Sequence, residues 1–398
     1  EGLKRIADWL HKRDKLLFVD FVTNHTAIDH PWVVNNPEYY VHTSFKERKE
    51  LPDGFIEIDG KAFAHGKDPY FAPWTDTLQL NVCSNAYRRE VCDLLTSMAE
   101  IVDGVRCDMA MLFLNRIFKN TWGDFLKENC LSVESEFWEE VISRVKSKKP
   151  NFTFIAESYW GTEWELQQLG FDFCYDKKLY DRLLKSSPSS IRGHLRGELN
   201  FQRKLVRFLE NHDEPRAISA FGQRKSMAAA ALALTLPGAK LVHQKQMEGA
   251  SIRLPVQLRR FPQEQGTAMV QRFYSDLLMA LNQIPFGKEK WKMVQTGEQL
   301  QFLEENPFIC HAWNTDGKTY LVVVNYSSIN ASNFINLFPL FQEEIQKPHV
   351  LVEDLLRGDS HILSTSHVKR EKHIKLPLSL DPWESKIYRI DQRDFSLV

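Results

Sequence analysis

The stretch GVRCDMAML, residues 104–112, follows a short apolar run and places an arginine and an aspartate two positions apart. Alternate residues of a β-strand point to the same face, so Arg106 and Asp108 are expected side by side at the end of a strand. A guanidinium beside a carboxylate lowers the pKa of the acid and keeps it ionised. The stretch therefore indicates a buried strand that ends in a charged pair.

Three other apolar runs close on a carboxylate in a similar way. They are LLFVD, which ends at Asp20, FTFIAE, which ends at Glu157, and LVRFLENHD, which ends at Asp213. Helical patterns separate the runs, and strands that alternate with helices predict a parallel sheet covered by helices. The carboxyl ends of barrel strands share one face, where active sites form. One such acid is easily explained as a helix cap, but four, with His25 and His212 beside two of them, favour a functional site.

Six apolar runs that are typical of strands precede residue 283, at residues 16–22, 101–108, 152–157, 171–176, 205–210 and 239–244. A (β/α)8 barrel has eight strands and about 250 residues. The sequence therefore predicts an α/β fold: a (β/α)8 TIM-type barrel over residues 1–289 that lacks its first two strands or has them outside the present sequence. An irregular excursion without a clear period is expected at about residues 30–80. An open doubly wound sheet also fits six parallel strands, and periodicity alone does not separate the two folds.

From about residue 290 the pattern changes to short β-rich runs with no helical period. The runs cover residues 307–313, 319–326, 348–356 and 384–390. They predict a small all-β antiparallel C-terminal domain, a β-sandwich over residues 290–398, and no catalytic cluster is evident in it.

Composition excludes several classes of protein. The 398 residues include 51 Lys plus Arg and 52 Asp plus Glu, for a formal charge of -1. This balance argues against binding to nucleic acid or to a membrane surface. The longest apolar stretch, residues 227–238, is too short to span a bilayer. Six cysteines without a CxxC pair are typical of buried thiols in a reducing compartment, so a cytoplasmic location is expected.

The sequence around Glu157 and Asp108 suggests that the first acid is protonated and the second is ionised. Glu157 follows apolar residues and precedes Tyr159 and Trp160, and an apolar pocket raises the pKa of a carboxyl group, which suits a general acid. The ionised Asp108 suits a nucleophile. Glycoside hydrolysis with retention requires such a pair about 5–5.5 Å apart. Trp74 and the two aromatics after Glu157 are candidates for stacking on sugars. A catalytic metal is less favoured, because the sequence has no HxH or HExxH motif.

At these residues the sequence resembles the α-amylase superfamily, a family of retaining glycoside hydrolases with a (β/α)8 barrel. Four motifs match in order: FVDFVTNH (18–25), GVRCDMAML (104–112), FIAESYW (154–160) and FLENHDEP (208–215). The resemblance extends over the whole chain, including the C-terminal β domain. It implies an enzyme that cleaves α-linked glucose oligosaccharides or polysaccharides by double displacement.

The resemblance also implies roles for individual residues. It makes Asp108 the nucleophile, Glu157 the acid/base and Asp213 the acid that stabilises the transition state. It makes four further residues substrate ligands, namely Asp20, His25, Arg106 and His212. The chemistry requires no cofactor. Asn24 matches a position that binds calcium in many members, but the other ligands are not identifiable, so the metal content and the oligomeric state are left unknown.

Alternatives remain within and outside this chemistry. An α-glucan transglycosylase or a disaccharide isomerase of the same family would use the same acids. A non-catalytic carbohydrate-binding relative is the third possibility. The presence of all three acids and Arg106 argues against it, whereas the two missing strands argue for it.

Overall fold

The computed structural model describes residues 1–44, 53–126, 134–286, 290–297, 306–315, 318–341, 349–364 and 373–393. The chain divides into two compact units, Glu1–Tyr175 and Asp176–Val398. Parallel strands and helices alternate in the first unit and continue into the second, as the sequence predicts.

Helices and strands of the first unit alternate along the chain. They are α1 (Gly2–His11), β1 (Phe18–Val22), β2 (His25–Ala27), α2 (Trp32–Asn35), β3 (His42–Ser44), β4 (Phe55–Ile58), β5 (Lys61–Ala64), β6 (Thr77–Gln79), α3 (Asn85–Met98), β7 (Gly104–Asp108), α4 (Asn115–Trp122), α5 (Phe137–Lys148), β8 (Thr153–Ala156), α6 (Glu163–Gln168) and β9 (Phe173–Tyr175). Each predicted strand of this unit is present, although it is shorter than its apolar run. The residues that lack strand pairing lie mainly at the start of each run, since β1 begins at Phe18 and β7 at Gly104.

Four parallel strands form the central sheet of the first unit, in the order β1, β7, β8, β9. The register sets Asp20 of β1 opposite Arg106 of β7, and Cys107 opposite Ala156 of β8. Strand β7 has a neighbour on each side and is buried along almost its whole length. Charged side chains from neighbouring strands are therefore held level with one another at the carboxyl end of the sheet.

Helix α5 shows how the sequence covers this sheet. Its buried side chains recur at the spacing of one helix face: Phe137, Trp138, Val141, Ile142 and Val145. Acidic residues occupy its first turn and lysines its last turn, which complements the helix dipole. Helix α3 packs against α5 and begins at Ser84, whose hydroxyl accepts a hydrogen bond from the Tyr87 N–H.

Two small antiparallel sheets occur in the excursion, which the sequence predicted to be irregular. Strand β2 pairs with β6, and β5 lies between β3 and β4. The prediction is wrong for these strands, because segments of three or four residues are too short for an alternating pattern to be recognised. Pairing of β2 with β6 sets His25 opposite Gln79 and closes the base of the excursion. Residues 45–52 of the excursion lie outside the described ranges.

The second unit begins with helices and ends with strands. Its elements are α7 (Lys177–Lys185), α8 (Pro188–Leu195), α9 (Leu199–Arg203), β10 (Leu205–Arg207), α10 (Ala217–Phe221), α11 (Gln223–Thr235), β11 (Ala239–Lys240), α12 (Ala268–Leu281), β12 (Lys290–Val294), β13 (Phe308–Thr315), β14 (Lys318–Asn325), β15 (Ala331–Asn336), β16 (His349–Asp354), β17 (Ser360–Ser364), β18 (Lys375–Leu380) and β19 (Ser385–Arg393). Strands β10 and β11 are parallel to each other. The fully buried Arg207 of β10 forms an ion pair with Asp176, which in turn caps the first turn of α7.

An antiparallel sheet in the order β12, β13, β14, β19, β16, β17 dominates the last hundred residues. The four predicted β-rich runs coincide with β13, β14, β16 and β19. Strands β15 and β18 form a separate ribbon that packs its apolar residues into the same core. Neither strand was predicted, because half of the residues of β15 are polar and β18 contains Pro377, a residue that argues against a strand. The predicted domain boundary involves residue 289, which lies outside the described ranges.

The cysteines differ from expectation at one position. Cys92, Cys107, Cys174 and Cys310 are buried free thiols, as predicted. Cys83 is disulfide-bonded, so the expectation of thiols alone is wrong there. A disulfide is typical of an oxidising compartment and does not favour the cytoplasmic location, which stays a prediction. In the part of the chain that is described, no helix has both the length and the apolar character needed to cross a membrane.

Gly104 generates a test of the packing around β7. An added Cβ would lie 2.3 Å from the Phe18 ring and 2.5 Å from the Thr153 carbonyl oxygen. Gly104→Ala is therefore expected to lower the free energy of unfolding by about 1–3 kcal/mol, measured by urea denaturation. Gly193 of α8 is the matched control, since nothing lies within 4 Å of its added Cβ. Gly193→Ala is expected to stabilise the protein by about 0.5–1 kcal/mol. Equal changes in the free energy of unfolding for the two substitutions would contradict tight packing around Gly104.

Candidate active site

Three carboxylates contact one buried guanidinium in the first unit. Arg106 donates from Nη1 to Asp108 Oδ1 at 2.7 Å and to Asp20 Oδ1 at 3.1 Å. Its Nη2 lies 2.9 Å from Glu157 Oε2. The expected contact between Arg106 and Asp108 is thus present, and three of the predicted acids come together around one cation.

Exposure to solvent differs strongly among the three acids. The Glu157 side chain is 3% exposed and that of Asp108 is 20% exposed. Asp20 lies within β1, an outer strand of the unit's sheet, and its side chain is 65% exposed. The cluster is therefore closed around Glu157 and opens to solvent past Asp108 and Asp20.

The surroundings of Arg106 and Glu157 raise the pKa of both groups. Burial disfavours the charge of Arg106, but Glu157, Asp108 and Asp20 outweigh it and hold the pKa of the guanidinium above its ordinary value. Burial also raises the pKa of Glu157. The positive charge of Arg106 opposes this shift and the negative charge of Asp108 adds to it. The direction agrees with the expectation from the apolar sequence around Glu157. The Tyr175 ring of β9 covers the guanidinium at 5.7 Å.

The turn after β7 holds Glu157 through the backbone. Met109 has φ 44° and ψ 43°, in the left-handed region that side chains other than glycine seldom adopt. The Met109 N–H donates to Glu157 Oε2 at 2.7 Å. The Ala110 N–H donates to the Glu157 carbonyl at 3.1 Å, which fixes the same turn to the end of β8. Sequence reasoning missed this contact, because a backbone donor carries no signature in the residue type.

The aromatics that were expected to stack on sugars have different surroundings. Tyr159 donates its hydroxyl hydrogen to Glu157 Oε1 at 2.8 Å. Trp160 is 42% exposed and meets the Tyr70 ring edge-on at 4.9 Å between centroids. Trp74 lies beside His25 at 5.2 Å. Stacking therefore stays a prediction, and Tyr159 has a second role in contact with the buried acid.

His25 stands beside the carboxylate cluster. Burial lowers the pKa of its imidazole, and the negative charges of Asp108 and Asp76 partly oppose that shift. The neutral ring is thus within electrostatic reach of Asp108. Its predicted role as a substrate ligand is compatible with this position, because a neutral imidazole can both donate and accept hydrogen bonds.

Asn24, which the resemblance aligns with a calcium-binding position, is hydrogen-bonded to Gln79. Its Oδ1 accepts a hydrogen bond from Gln79 Nε2 at 3.0 Å, and its Nδ2 donates to Gln79 Oε1 at 3.3 Å. Calcium prefers several carboxylate and carbonyl oxygens. Within the described ranges, no group of three or more His, Cys, Asp or Glu side chains is arranged to hold a metal ion. The amide pair between Asn24 and Gln79 is a structural link across the base of the excursion.

The remaining two predicted site residues lie in the second unit, in the turn after β10. His212 Nε2 lies 3.0 Å from Asp213 Oδ2, and the two side chains are 37% and 50% exposed. Asn211 shapes this turn, since its Oδ1 accepts from the N–H groups of Asp213 and Glu214, both at 2.9 Å. Their convergence with the Arg106 cluster stays a prediction.

Glu210 anchors the same turn, and sequence reasoning missed it. Its buried carboxylate lies 3.0 Å from Arg216 Nη1 and 3.2 Å from His243 Nδ1. It also accepts from the Ala217 N–H at 2.5 Å. The available signal was an acid directly after an apolar strand with an arginine six residues later. Glu210 thus fixes both ends of the segment that carries His212.

Comparison with known proteins identifies the family. A family model described as the catalytic domain of alpha amylase matches residues 1–251. The chain belongs to the alpha-amylase family. Alpha-amylase MalA of Haloarcula japonica is 24% identical over 337 residues, which cover 82% of this chain and 45% of that protein. Alpha-amylase 3 of Dictyoglomus thermophilum is 26% identical over 276 residues, which cover 63% of this chain and 51% of that protein. The chain therefore spans about half the length of these two alpha-amylases.

A solved alpha-amylase structure shares the fold of this chain. The maltogenic alpha-amylase AmyB from Thermotoga neapolitana matches with a TM-score of 0.70 and 19% identity, covering 98% of this chain and 81% of that chain. The predicted fold class, a (β/α)8-type barrel followed by an all-β antiparallel domain, is confirmed. The open doubly wound sheet is not the fold. The described ranges contain six parallel strands, four in the first unit and two in the second, which is the predicted number.

Glu210 gives this alpha-amylase family member a testable pH dependence of stability. Burial raises the pKa of Glu210 from 4.5 to about 7. An acid with a raised pKa binds its proton more tightly in the folded state. Its contribution to the free energy of unfolding is therefore full below pH 4.5 and lost as the pH rises through about 7. Glu210→Gln is expected to remove this part of the pH dependence, measured by urea unfolding between about pH 4 and pH 8.

The control for that experiment is Glu248→Gln, which removes an exposed carboxylate. It is expected to leave the pH dependence of the unfolding free energy as it is in the parent protein. Parallel pH curves for the parent protein and Glu210→Gln would contradict the assignment of a buried, protonated Glu210.

Proposed function

We propose that this chain carries the catalytic site of a retaining glycoside hydrolase that cleaves α-glucosidic bonds of α-glucans or maltooligosaccharides. One observation carries the proposal: Asp108 and Glu157 contact the two terminal nitrogens of the same guanidinium. Sharing Arg106 keeps the two carboxyl groups within a few ångströms of each other. Retaining glycosidases hold their two carboxyl groups about 5–5.5 Å apart. Membership of the alpha-amylase family supports the same chemistry.

In the first step, an Asp108 oxygen attacks the anomeric carbon while the bond from that carbon to the leaving oxygen breaks. Glu157 transfers its proton to the leaving oxygen, and a glucosyl ester of Asp108 forms. The two environments suit these tasks. Glu157 is buried and its raised pKa favours the protonated form, whereas Asp108 contacts a permanent cation and is partly open to solvent.

In the second step, the ionised Glu157 takes a proton from water while the water oxygen attacks the anomeric carbon. The ester bond to Asp108 breaks, and the product keeps the α configuration, because two inversions have occurred. Arg106 positions both carboxylates throughout, and its charge offsets their repulsion in a site of low polarity.

The other predicted residues bind the sugar in this proposal. Asp213 and His212 would hold hydroxyl groups of the distorted ring, since both side chains are accessible and their hydrogen bonds are directional. Asp20 and His25 would bind sugar hydroxyl groups beside Asp108. The substrate class is an α-linked glucose oligosaccharide or polysaccharide.

Removal of the nucleophile tests the enzymatic assignment. In the full-length natural protein, Asp108→Asn is expected to reduce reducing-sugar release from maltooligosaccharides to background, because an amide does not form the glucosyl ester. Glu157→Gln is expected to lower the rate roughly 10²–10⁴-fold, as loss of a general acid does. Asp8→Asn, which alters an exposed aspartate of α1, is the control and should retain the parent rate. A parent protein no more active than Asp108→Asn on any α-glucan or disaccharide would favour a non-catalytic binding relative.

Product stereochemistry tests the double displacement. Proton NMR of the first-formed sugar is expected to show the α-anomer, followed by slow mutarotation in solution. An initial β-anomer would contradict the role of Asp108. The same spectra distinguish the alternative acceptors, because a transglycosylase would accumulate longer oligosaccharides and an isomerase would convert one disaccharide into another without net release of glucose.

A further inference from the structure

The two oxygens of the Glu157 carboxyl group have chemically different partners. Oε2 accepts from the Met109 N–H at 2.7 Å and lies 2.9 Å from Arg106 Nη2. Oε1 accepts from the Tyr159 hydroxyl at 2.8 Å. Since the side chain is 3% exposed, these partners determine where a proton can reside.

A proton on Oε2 would be disfavoured. A backbone N–H only donates, and a guanidinium has no acceptor atom. A proton on that oxygen would therefore point at a donor hydrogen and a positive charge. Oε1 differs, because a phenolic hydroxyl can rotate and can serve as donor or acceptor.

We propose that Tyr159 is a positioning residue that keeps the catalytic proton on Oε1 of Glu157. Its hydroxyl donates to Oε1 when the carboxylate is ionised and rotates to accept from Oε1 when the acid is protonated. This inference rests on the proposed function, in which Glu157 is the acid/base.

The proposal assigns each proton transfer to one oxygen atom. In the first step the O–H bond at Oε1 breaks and a bond forms from that proton to the leaving oxygen. In the second step Oε1 takes a proton from the attacking water. Tyr159 keeps its own hydrogen throughout, so it changes only the direction of its hydrogen bond.

Other charged or titratable groups of the first unit also act on Glu157. Arg106 of β7 favours the ionised form, and Asp108 of the same strand disfavours it. Tyr175 of β9 is close enough to interact electrostatically with Glu157. The hydrogen bond that Tyr159 donates to the ionised carboxylate is charge-assisted, so it is stronger than the one that the hydroxyl accepts from the neutral acid. Removal of the hydroxyl therefore raises the pKa of Glu157.

Tyr159→Phe removes the hydroxyl and keeps the ring. Because the ionised carboxylate loses a charge-assisted hydrogen bond and the neutral acid loses a weaker one, the basic limb of the pH profile of kcat/KM is expected to move up by about one pH unit. The kcat for maltooligosaccharides is expected to fall several-fold with KM little changed. With an aryl α-glucoside whose leaving group needs no proton, the fall in the glucosylation rate should be much smaller. Tyr70→Phe, at an exposed tyrosine, is the control and should leave the basic limb in place.

A measurement without substrate keeps the inference independent of activity. Titration of ¹³C-labelled glutamate carboxyls by infrared spectroscopy follows Glu157 directly, with Glu157→Gln to assign its band. The titration of Glu157 is expected at higher pH in Tyr159→Phe than in the parent protein, and an equal or lower value overturns the inference. A parent protein without glycosidase activity would overturn the proposed function, while this titration would still decide the role of Tyr159.

Discussion

The ion contacts of Arg106 are the constraint on which the rest of the site depends. One buried cation lies among three carboxylates from three neighbouring strands. A buried charge costs several kcal/mol when unpaired, so neither Arg106 nor an ionised Glu157 would be stable there alone. The parallel register makes the arrangement possible, since it sets Asp20 level with Arg106. Tight packing at Gly104 brings the neighbouring strands close at the opposite end of β7.

Two carboxylates on the same guanidinium nevertheless have unlike surroundings. Glu157 is enclosed and accepts hydrogen bonds from a backbone N–H and a tyrosine, and burial favours its protonated form. Asp108 is the last residue of β7 and faces the open side of the cluster. A pair of acids separated in this way can supply a proton and a nucleophile at the same pH. The two acids differ in burial because Glu157 lies in the interior at the end of β8, whereas Asp108 lies on the open side of the cluster.

Local sequence patterns predicted the strands and helices whose apolar residues recur at a regular spacing. The period of β7, with Arg106 and Asp108 on one face, was sufficient to anticipate their contact. The apolar runs of β13 and β14 likewise marked the C-terminal domain. Strands β3, β4 and β5 were not predicted, because segments of three or four residues carry no recognisable period.

The contacts that determine the pKa and the position of the site's acids could not be predicted from the sequence. The Tyr159 hydroxyl bond and the anchoring of Glu210 depend on partners brought together by the fold, and a stacking role was the natural expectation for an aromatic residue. The disulfide at Cys83 is of the same kind, since pairing depends on spatial approach rather than on spacing along the chain.

The left-handed turn at Met109 has a consequence for how this site can change during evolution. The atom that contacts the acid belongs to the peptide backbone, so the contact depends on the path of the chain rather than on the chemistry of the side chain. The positive φ nevertheless limits which residues can stand there, because β-branched side chains are strained in this conformation and proline has no N–H to donate. Position 109 is therefore expected to vary in residue type only within those limits. The number of residues between β7 and this turn is expected to stay constant, since the contact comes from one particular peptide group.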